Sequence, residues 1–366
     1  MALLFMDGFD KYAASADLVK EWNNNSMPSA VTFNPTAGRF GGGAVVAAPT
    51  TAIYANNYGL QKIIRPVGNP VVRVGMSFKA TAKPADTYGP WFMALLDSTN
   101  PSSNNSTAGA SLGCSTVTGA IGYRPWTGGS ITNPTGSGSI NVCDGNWHWI
   151  EIHFRQTPSG GVFQVRVDGV VDVDTPGYLG PSPAVDRITL QPFYGGGTIT
   201  FDDIVFFDDE DSGITGDLVA ASYPLGDRKI STIRPNGAGS SATFTPSAGS
   251  NFQCVDEITP NADTDYVSTL ANASKDLYAF GDLPGTPSII TAVVLKTSAR
   301  NADVGAIQIA GKVKSGGVEA TGATKVAPAA SYNMLQWNLP RDPNTSAPWT
   351  YANLNAAEFG FSSTLP

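Results

Sequence analysis

Apolar and polar residues alternate through much of the first 207 residues of the chain. Every second residue between Val71 and Phe78 is apolar, and the segment from Trp147 to Arg155 alternates in the same way. A period of two is typical of a strand with one face in a core and the other face outside. We therefore predict a half-buried strand in each of these segments.

The clearest local element is a hairpin around Asp168 and Gly169. Residues 163–167 alternate before this dipeptide, and residues 171–174 alternate after it. Asp-Gly between alternating strands favours a type I′ turn, because both central residues of that turn need positive φ. The pattern predicts two antiparallel strands joined by a tight turn.

The pattern divides the chain into three parts. Residues 1–207 end with an apolar strand, residues 208–216 are polar without periodicity, and residues 217–366 form a second, β-rich part with long irregular stretches. We predict a β-sandwich domain, a linker and a smaller β-rich C-terminal domain. Helix is scarce: one turn is predicted from Asp17 to Trp22, and a short helix from Thr350 to Glu358 with Thr350 as its N-cap.

Composition supports an all-β fold. The chain has 366 residues, of which 40 are glycine and 26 are proline, and only 14% are charged. Many glycines and prolines favour short strands joined by turns. The net charge is −8 and the basic residues are not clustered, so a nucleic-acid partner is not expected. The apolar start is too short for a secretory signal, and no segment predicts a membrane helix.

The sequence contains no pattern that predicts catalysis. A glycosidase needs two carboxyl groups that flank the scissile bond. Asp172 and Asp174 share a face but lie beside a turn, whereas Asp202 and Asp203 are adjacent and should point to opposite faces. We therefore expect a protein that is not an enzyme, with no catalytic residues.

The histidines and cysteines add little chemistry. His148 and His153 are the only histidines, and on one strand they face opposite sides, so they are not expected to share a metal. We predict that His148 is a hydrogen-bonded core residue. Cys114, Cys143 and Cys254 have no metal-binding spacing. Free thiols and a Cys114–Cys143 bridge both stay open.

Five segments in order resemble a laminin G/concanavalin A-type jelly roll. They are Asp7-Gly-Phe-Asp10, Gly38-Arg-Phe-Gly-Gly-Gly-Ala-Val45, Asn146-Trp-His-Trp-Ile-Glu-Ile-His-Phe154, Val165-Arg-Val-Asp-Gly-Val170 and Phe201-Asp-Asp-Ile-Val-Phe206. The resemblance implies an antiparallel, lectin-like sandwich over residues 1–207. It also implies that the first strand pairs with the strand around Phe201–Phe206.

The C-terminal part is similar to a module found in tailed-bacteriophage proteins. The stretches that carry this resemblance are Gly226-Asp-Arg-Lys-Ile-Ser-Thr-Ile-Arg-Pro-Asn-Gly237, Thr245–Asn251, Val255–Val267, Lys275–Phe280 and Trp349–Gly360. The resemblance implies a structural virion protein, either tail- or fibre-associated or head-decorating, made in the host cytoplasm without a signal peptide. Its expected partners are identical subunits in a homo-oligomer and other phage structural proteins.

A glycan-binding module for attachment to a host surface is the alternative function. Exposed aromatic rings would stack on sugars, and Trp91, Trp126, Trp147 and Trp149 are the candidates. Trp147 and Trp149 share the polar face of their strand. The other interpretation is that this face lies under a loop or in a subunit contact.

Calcium is the one candidate cofactor that the lectin-like resemblance implies. Its ligands would be Asp7, Asp10, Asp202 and Asp203, because the first and last strands of such a sandwich are neighbours. The alternative is that these carboxylates only cap turns. The metal ligands therefore stay unassigned, and no other cofactor is expected.

Overall fold

The computed structural model describes most of the chain. The described residues are 3–51, 59–64, 71–85, 91–96, 110–125, 136–155, 157, 159–176, 185–208, 224–302, 307–329 and 331–364. They divide into two compact units, the first comprising Met1–Glu210 and Ser222–Ile230 and the second comprising Asp211–Ala221 and Ser231–Pro366. No helix among these residues is long and apolar enough to span a membrane.

The first unit consists of two antiparallel sheets. The first sheet has eight strands in the order β13-β12-β11-β6-β15-β4-β3, with β1 paired to β15, and the second has seven in the order β10-β9-β8-β7-β14-β5-β2. The strands are β1 (Leu3–Asp7), β2 (Asn24–Asn25), β3 (Val31–Asn34), β4 (Ala44–Ala47), β5 (Leu60–Ile63), β6 (Val71–Ala80), β7 (Trp91–Leu96), β8 (Ala110–Cys114), β9 (Ala120–Pro125), β10 (Gly136–Asn141), β11 (His148–Arg155), β12 (Val162–Val167), β13 (Val170–Pro176), β14 (Arg187–Leu190) and β15 (Ile199–Phe207). This arrangement confirms the predicted all-β, lectin-like jelly-roll sandwich.

The N-terminal strand lies where the resemblance implied. In β1, Phe5 is opposite Phe206 and Asp7 is opposite Ile204, both in β15. The Asp-Gly hairpin is also present, since φ is 51° at Asp168 and 82° at Gly169. Both local predictions are therefore confirmed.

Aromatic side chains fill the space between the two sheets. The ring centroids of Phe78 in the first sheet and Phe92 in the second are 4.8 Å apart, and Phe201 lies against both. All three side chains are fully buried. Truncating one such ring to alanine costs about 3–5 kcal/mol, so this packing fixes the positions of the strands that carry the outer faces.

Residues 224–230, which we call the strap, belong to the first unit. The sequence analysis placed them in the C-terminal domain. Leu225 of the strap is buried, and Ile230 at its end lies close to Gly8, where an added Cβ would come within 2.8 Å of the Ile230 carbonyl oxygen. Of the predicted linker 208–216, only Asp208 is described.

The second unit is also β-rich. Its five-stranded sheet has the order β16-β19-β24-β21-β22, and β17-β18 and β20-β23 form separate pairs. The strands are β16 (Pro235–Ala242), β17 (Thr245–Pro246), β18 (Val267–Ser268), β19 (Lys275–Phe280), β20 (Val294–Ala299), β21 (Gln308–Ser315), β22 (Val318–Val326), β23 (Asn333–Asn338) and β24 (Glu358–Thr364). A core containing Trp337, Trp349 and Phe359 holds this unit together.

The helices are short, as expected. A 3-10 helix spans Ser15–Lys20, a second spans Asn251–Cys254, and α1 spans Tyr351–Asn355. Thr350 caps α1, because its Oγ1 accepts a hydrogen bond from the Asn353 N–H at 3.1 Å. The helix ends before the predicted Glu358, which instead begins β24.

Candidate functional site

The predicted sugar-binding face of β11 is covered by the strap. Trp149 is 1% exposed, and its indole Nε1 donates to Glu151 Oε1 at 3.1 Å. The backbone N–H groups of Leu225 and Gly226 donate to the same carboxylate at 2.7 and 2.9 Å. The Trp149 ring therefore has no face free for a sugar, and the interpretation that a loop covers this side of the strand is correct for Trp149. Trp147 is half-buried.

Local sequence explains how this indole fits against the sheet. Gly75 of β6 is the residue opposite Glu151. A Cβ at Gly75 would come within 2.7 Å of the Trp149 ring. The glycine thus leaves the space that the indole occupies beside the neighbouring strand.

All four calcium candidates accept hydrogen bonds from the protein, and two of them, Asp7 and Asp10, lie near the start of the chain. Asp10 accepts from the Gly43 N–H at 2.9 Å. The buried carboxylate of Asp7 accepts from Phe9 N at 2.9 Å, Lys11 Nζ at 2.5 Å, Tyr12 Oη at 2.6 Å and Trp22 Nε1 at 2.9 Å. Asp7 therefore organises the packing of the first 22 residues.

The other two candidates lie at an irregularity in β15. Asp202 is opposite Ser77, the next regular pair is Val205 with Gly75, and Asp203 has a φ of 49°. The Ser77 hydroxyl donates to Asp203 Oδ2 at 3.3 Å. The prediction that adjacent Asp202 and Asp203 point to opposite faces is therefore wrong, because the irregularity brings the Asp203 carboxylate to Ser77, the residue opposite Asp202.

Burial and mutual repulsion make this carboxylate pair difficult to ionise. Burial, followed by the charge of Asp203, raises the pKa of Asp202 to about 8. Burial also raises the pKa of Asp203 to about 6, and the charge of Asp10 adds to the effect. Asp202 accepts from the Arg39 N–H at 2.8 Å, and Asp203 accepts from the Ile230 N–H of the strap at 2.6 Å. Among the described residues, no group of three or more acidic, histidine or cysteine side chains could hold a metal ion.

His148 is buried and bound on both sides by carboxylates. Its Nδ1 lies 2.7 Å from Asp168 Oδ2, and its Nε2 lies 3.1 Å from Asp144 Oδ1. Burial acts to raise the pKa of Asp144, but hydrogen bonds from Asn146 and His148 lower it to about 2. The predicted role of His148 as a hydrogen-bonded structural residue agrees with this geometry.

The cysteines are free, buried thiols. Cys114 at the end of β8 lies beside Cys143, and burial followed by the neighbouring Cys143 thiol raises the pKa of Cys114. The two thiols are neighbours and are not bridged.

A row of polar side chains crosses the outer face of the second sheet. In β14, Ile188 and Leu190 belong to the core, so Thr189 points outwards. Directly opposite residues share a face, and this register links Thr189 to Gln61 and Ala94, Gln61 to Asn24, and Ala94 to Ser111. We call Asn24, Gln61, Thr189 and Ser111 the polar row. It spans five strands, roughly 19 Å at the usual strand spacing.

An indole lies on the same outer face. The pairing of β7 with β8 shifts between Trp91, which is opposite Gly113, and Met93, which is opposite Leu112. Leu112 and Cys114 are core residues, so Gly113 between them points outwards. Trp91 is opposite Gly113 and shares that face, and it is 5% exposed. The residue opposite Trp91 is therefore a glycine, Gly113, which has no side chain to cover the indole. Trp126, the remaining predicted aromatic, lies outside the described residues.

Two polar atoms on this face lack hydrogen bonds within the part of the chain that the structure describes. Thr189 is completely buried, and its Oγ1 has no hydrogen-bond partner there. The Nε of Arg187, on the same side of β14, is also buried and unpaired. Gln61 and Ser111 do have partners. A buried donor or acceptor without a partner costs about 1–3 kcal/mol, so these two positions are where a ligand would contribute most.

The outer face opens towards β5. Arg187 is opposite Ile63 of β5 on one side and Leu96 of β7 on the other. Ile63 is 42% exposed and Arg187 is half-buried, whereas Leu96 and Thr189 are buried. A ligand would therefore reach Arg187 before it reached Thr189.

Sequence reasoning missed Gln61, Ser111, Arg187 and Thr189. The alternation of Arg187-Ile-Thr-Leu190 was the available signal for β14. It shows which residues share a face of one strand, but it does not show which strands lie beside it. The row depends on the pairing of short strands that are far apart in the sequence.

Comparisons with known proteins identify similar folds without a family. No family model matches the chain, and no curated protein matches it. Solved structures that resemble it include a cellulose-induced protein, Cip1, at 13% identity and a TM-score of 0.38, covering 56% of this chain and 96% of that one. Alginate lyase Aly36B has 13% identity and a TM-score of 0.37, with coverage of 56% and 97%. The carbohydrate recognition domain of Emp46p in its potassium-bound form has 10% identity and a TM-score of 0.31, with coverage of 56% and 100%. Likeness at this level assigns neither a ligand nor an activity to this chain.

The expectation that the protein is not an enzyme is contradicted. Alginate lyase Aly36B, an enzyme, is among the similar structures. The expectation depended only on the lack of a hydrolytic carboxylate pair, which does not bear on other types of reaction. The sequence therefore gives no ground for excluding catalysis.

Proposed function

We propose that the sandwich binds a glycan on the outer face of its second sheet, along the polar row. The observation that carries this proposal is Thr189, a completely buried threonine whose Oγ1 has no partner among the described residues. It lies in a row of amide and hydroxyl side chains that can each donate and accept hydrogen bonds. Sugar hydroxyls have the same dual capacity.

The neighbouring indole supports the same ligand class. Trp91 stands opposite Gly113, which in turn is opposite Gly122, so two positions beside the ring lack side chains. Binding sites for small molecules typically combine an apolar surface with a few well-placed polar groups. Trp91 is 5% exposed, so it can add an apolar contact at the border of the polar row, but it offers no open ring face for stacking.

The phage assignment stays a prediction from the sequence. The structure and the comparisons give no support for a virion role, for phage partners or for a homo-oligomer. Glycan binding, which the sequence analysis gave as the alternative, is the better-supported reading of the lectin-like sandwich.

The test uses the full chain and its Thr189→Val variant, which keeps the shape of the side chain and removes the hydroxyl. The wild type should bind at least one neutral or acidic oligosaccharide in an array, and Thr189→Val should weaken that binding about tenfold. The variant should also be at least as stable as the wild type in thermal unfolding, because it removes an unpaired buried hydroxyl.

Thr32→Val is the matched control. Thr32 lies in β3 of the first sheet, away from the polar row. Its substitution should leave oligosaccharide binding unchanged. Absence of binding to any glycan, or equal affinity of the wild type and the Thr189→Val variant, would overturn the proposal.

A further inference from the structure

Arg187 lies on the outer face of the second sheet, and no described residue forms an ion pair with it. The residues opposite it, Ile63 and Leu96, are both apolar. Its Nε is buried and has no hydrogen-bond partner in the part of the chain that the structure describes. A cation at a half-buried position between two aliphatic side chains loses hydration, and an anion can compensate for that loss.

The unpaired atom indicates which side of the guanidinium is vacant. The Nε–H and one Nη–H point in the same direction and form a fork that matches two oxygens of a carboxylate or sulfate group. Among the described residues, none pairs with the Nε–H of Arg187, so none of them occupies this side-on fork. The fork therefore suits a planar or tetrahedral oxyanion better than a single hydroxyl.

The spacing connects this position to the polar row. Arg187 and Thr189 lie two residues apart on the same face of β14, roughly 7 Å along the strand. This distance is comparable to the span of one sugar ring with its substituents. A sugar whose hydroxyls reach Thr189 can therefore place an anionic substituent at Arg187, on the more open side of the face.

The net charge of the chain indicates that an acidic ligand would have to be recognised by a specific contact. The net charge is −8, so long-range electrostatics do not attract a polyanion to this protein. Selection of an acidic ligand would have to come from a specific contact. Among the outward-facing residues of β5, β14, β7 and β8 that form this face, Arg187 supplies that contact beside the polar row.

We propose that the glycan is acidic and that Arg187 binds its carboxylate or sulfate group while the polar row binds its hydroxyls. This inference rests on the proposed function and specifies its ligand class. Arg187 is then the residue that determines specificity for charge, whereas Thr189 contributes to binding of both neutral and acidic sugars.

The experiment uses the full chain and matched probes. Glucan, mannan and galactan oligosaccharides are each prepared in three forms: neutral, with the primary alcohols oxidised to carboxylates, and sulfated at the same positions. Titration calorimetry should show at least one anionic form bound about tenfold more tightly than its neutral counterpart. A preference for the carboxylate or for the sulfate identifies the anion.

Two substitutions test the role of the fork. Arg187→Gln should abolish the preference for the anionic form, measured as the ratio of the affinities of the anionic and neutral forms for the same variant. Arg187→Lys keeps the charge but lacks the fork, and it should lose most of the preference. Arg155→Gln is the control, because it makes the same change at an exposed position of β11 in the first sheet.

The outcomes separate the two proposals. Equal affinity for neutral and anionic forms, unchanged by Arg187→Gln, would overturn the inference about acidic sugars and leave glycan binding in place. A preference that survives in Arg187→Gln would also overturn it. Absence of binding to every form would defeat the proposed function itself. Thermal unfolding of each variant confirms that a loss of binding does not reflect a loss of fold.

Discussion

The two outer faces of the sandwich differ in the hydrogen bonding of their buried polar groups. On the first sheet, the Glu151 carboxylate accepts hydrogen bonds from Leu225 and Gly226 of the strap. On the second sheet, Thr189 Oγ1 and Arg187 Nε have no hydrogen-bond partner among the described residues. Around Glu151 the chain itself supplies the hydrogen-bond donors, whereas around Thr189 and Arg187 the described residues leave hydrogen-bonding capacity for a ligand.

This difference distinguishes a structural cluster of polar residues from a binding site. Some nitrogen atoms of Arg73, His153 and Arg166 on the first sheet are also buried and unpaired, but these residues have other partners. Thr189 has a single side-chain oxygen, so the same explanation is not open to it. Buried polar groups in folded proteins are nearly always paired, and an exception on an outer face needs a ligand or another explanation.

The largest expected effect is a loss of stability when Glu151, which binds the strap, is replaced. Glu151→Ala should destabilise the first unit by about 3 kcal/mol, because the Trp149 indole and two backbone N–H groups lose their acceptor. Chemical unfolding measures this change. The exposed Asp174→Asn should change the stability by less than about 0.5 kcal/mol.

Trypsin provides a second readout of the same substitution. The strap contains Arg228 and Lys229, both of which are cleavage sites. If Glu151 holds the strap on the sheet, Glu151→Ala should accelerate cleavage after these residues relative to Asp174→Asn. An unchanged cleavage rate together with unchanged stability would show that the strap does not depend on Glu151.

A smaller effect concerns the pH dependence of the first unit. The folded-state pKa values of Asp202 and Asp203, about 8 and about 6, lie above the ordinary value of 3.8. Groups with raised pKa values stabilise the fold fully below their unfolded-state pKa, and this stability is lost as the pH rises through the folded-state values. The unfolding free energy should therefore fall between pH 5 and pH 8, by at least about 1.4 kcal/mol, the equivalent of one pKa unit.

Asp202→Asn tests the origin of this pH dependence. The variant removes the group with the higher pKa and its repulsion with Asp203, so the decrease between pH 5 and pH 8 should become shallower. The charges of Asp10 and Arg39 act on the same pair in opposite directions and remain in the variant. A pH profile identical to that of the wild type would contradict the assignment.

Sequence patterns predicted local elements and failed where distant segments meet. The Asp168-Gly169 turn and the alternation in β6 and β11 depend on neighbouring residues, and the structure shows them where they were expected. The cover over Trp149 depends on Leu225, which is far away in the chain, so the pattern alone left two interpretations open. Alternation also failed at Asp202 and Asp203, because the irregularity in β15 places two adjacent side chains on the same side of the strand.

The candidate site was less predictable than the fold for the same reason. Thr189 is unremarkable in the sequence, and its importance appears only when its neighbours in β5 and β7 are known. The sequence analysis chose tryptophans as candidates because exposed indole rings can stack on sugars, yet Trp149 lies under the strap. Trp91 was one of the candidate aromatics, but its position on the polar-row face follows from the shifted pairing of β7 with β8.

The most direct test of the account is a structure of the full chain with a bound acidic oligosaccharide. The account predicts a sugar oxygen within hydrogen-bonding distance of Thr189 Oγ1, an anionic group on the Nε side of Arg187, and the strap still bound to Glu151. An oligosaccharide bound instead at Trp147, in place of the strap or in the second unit would contradict it.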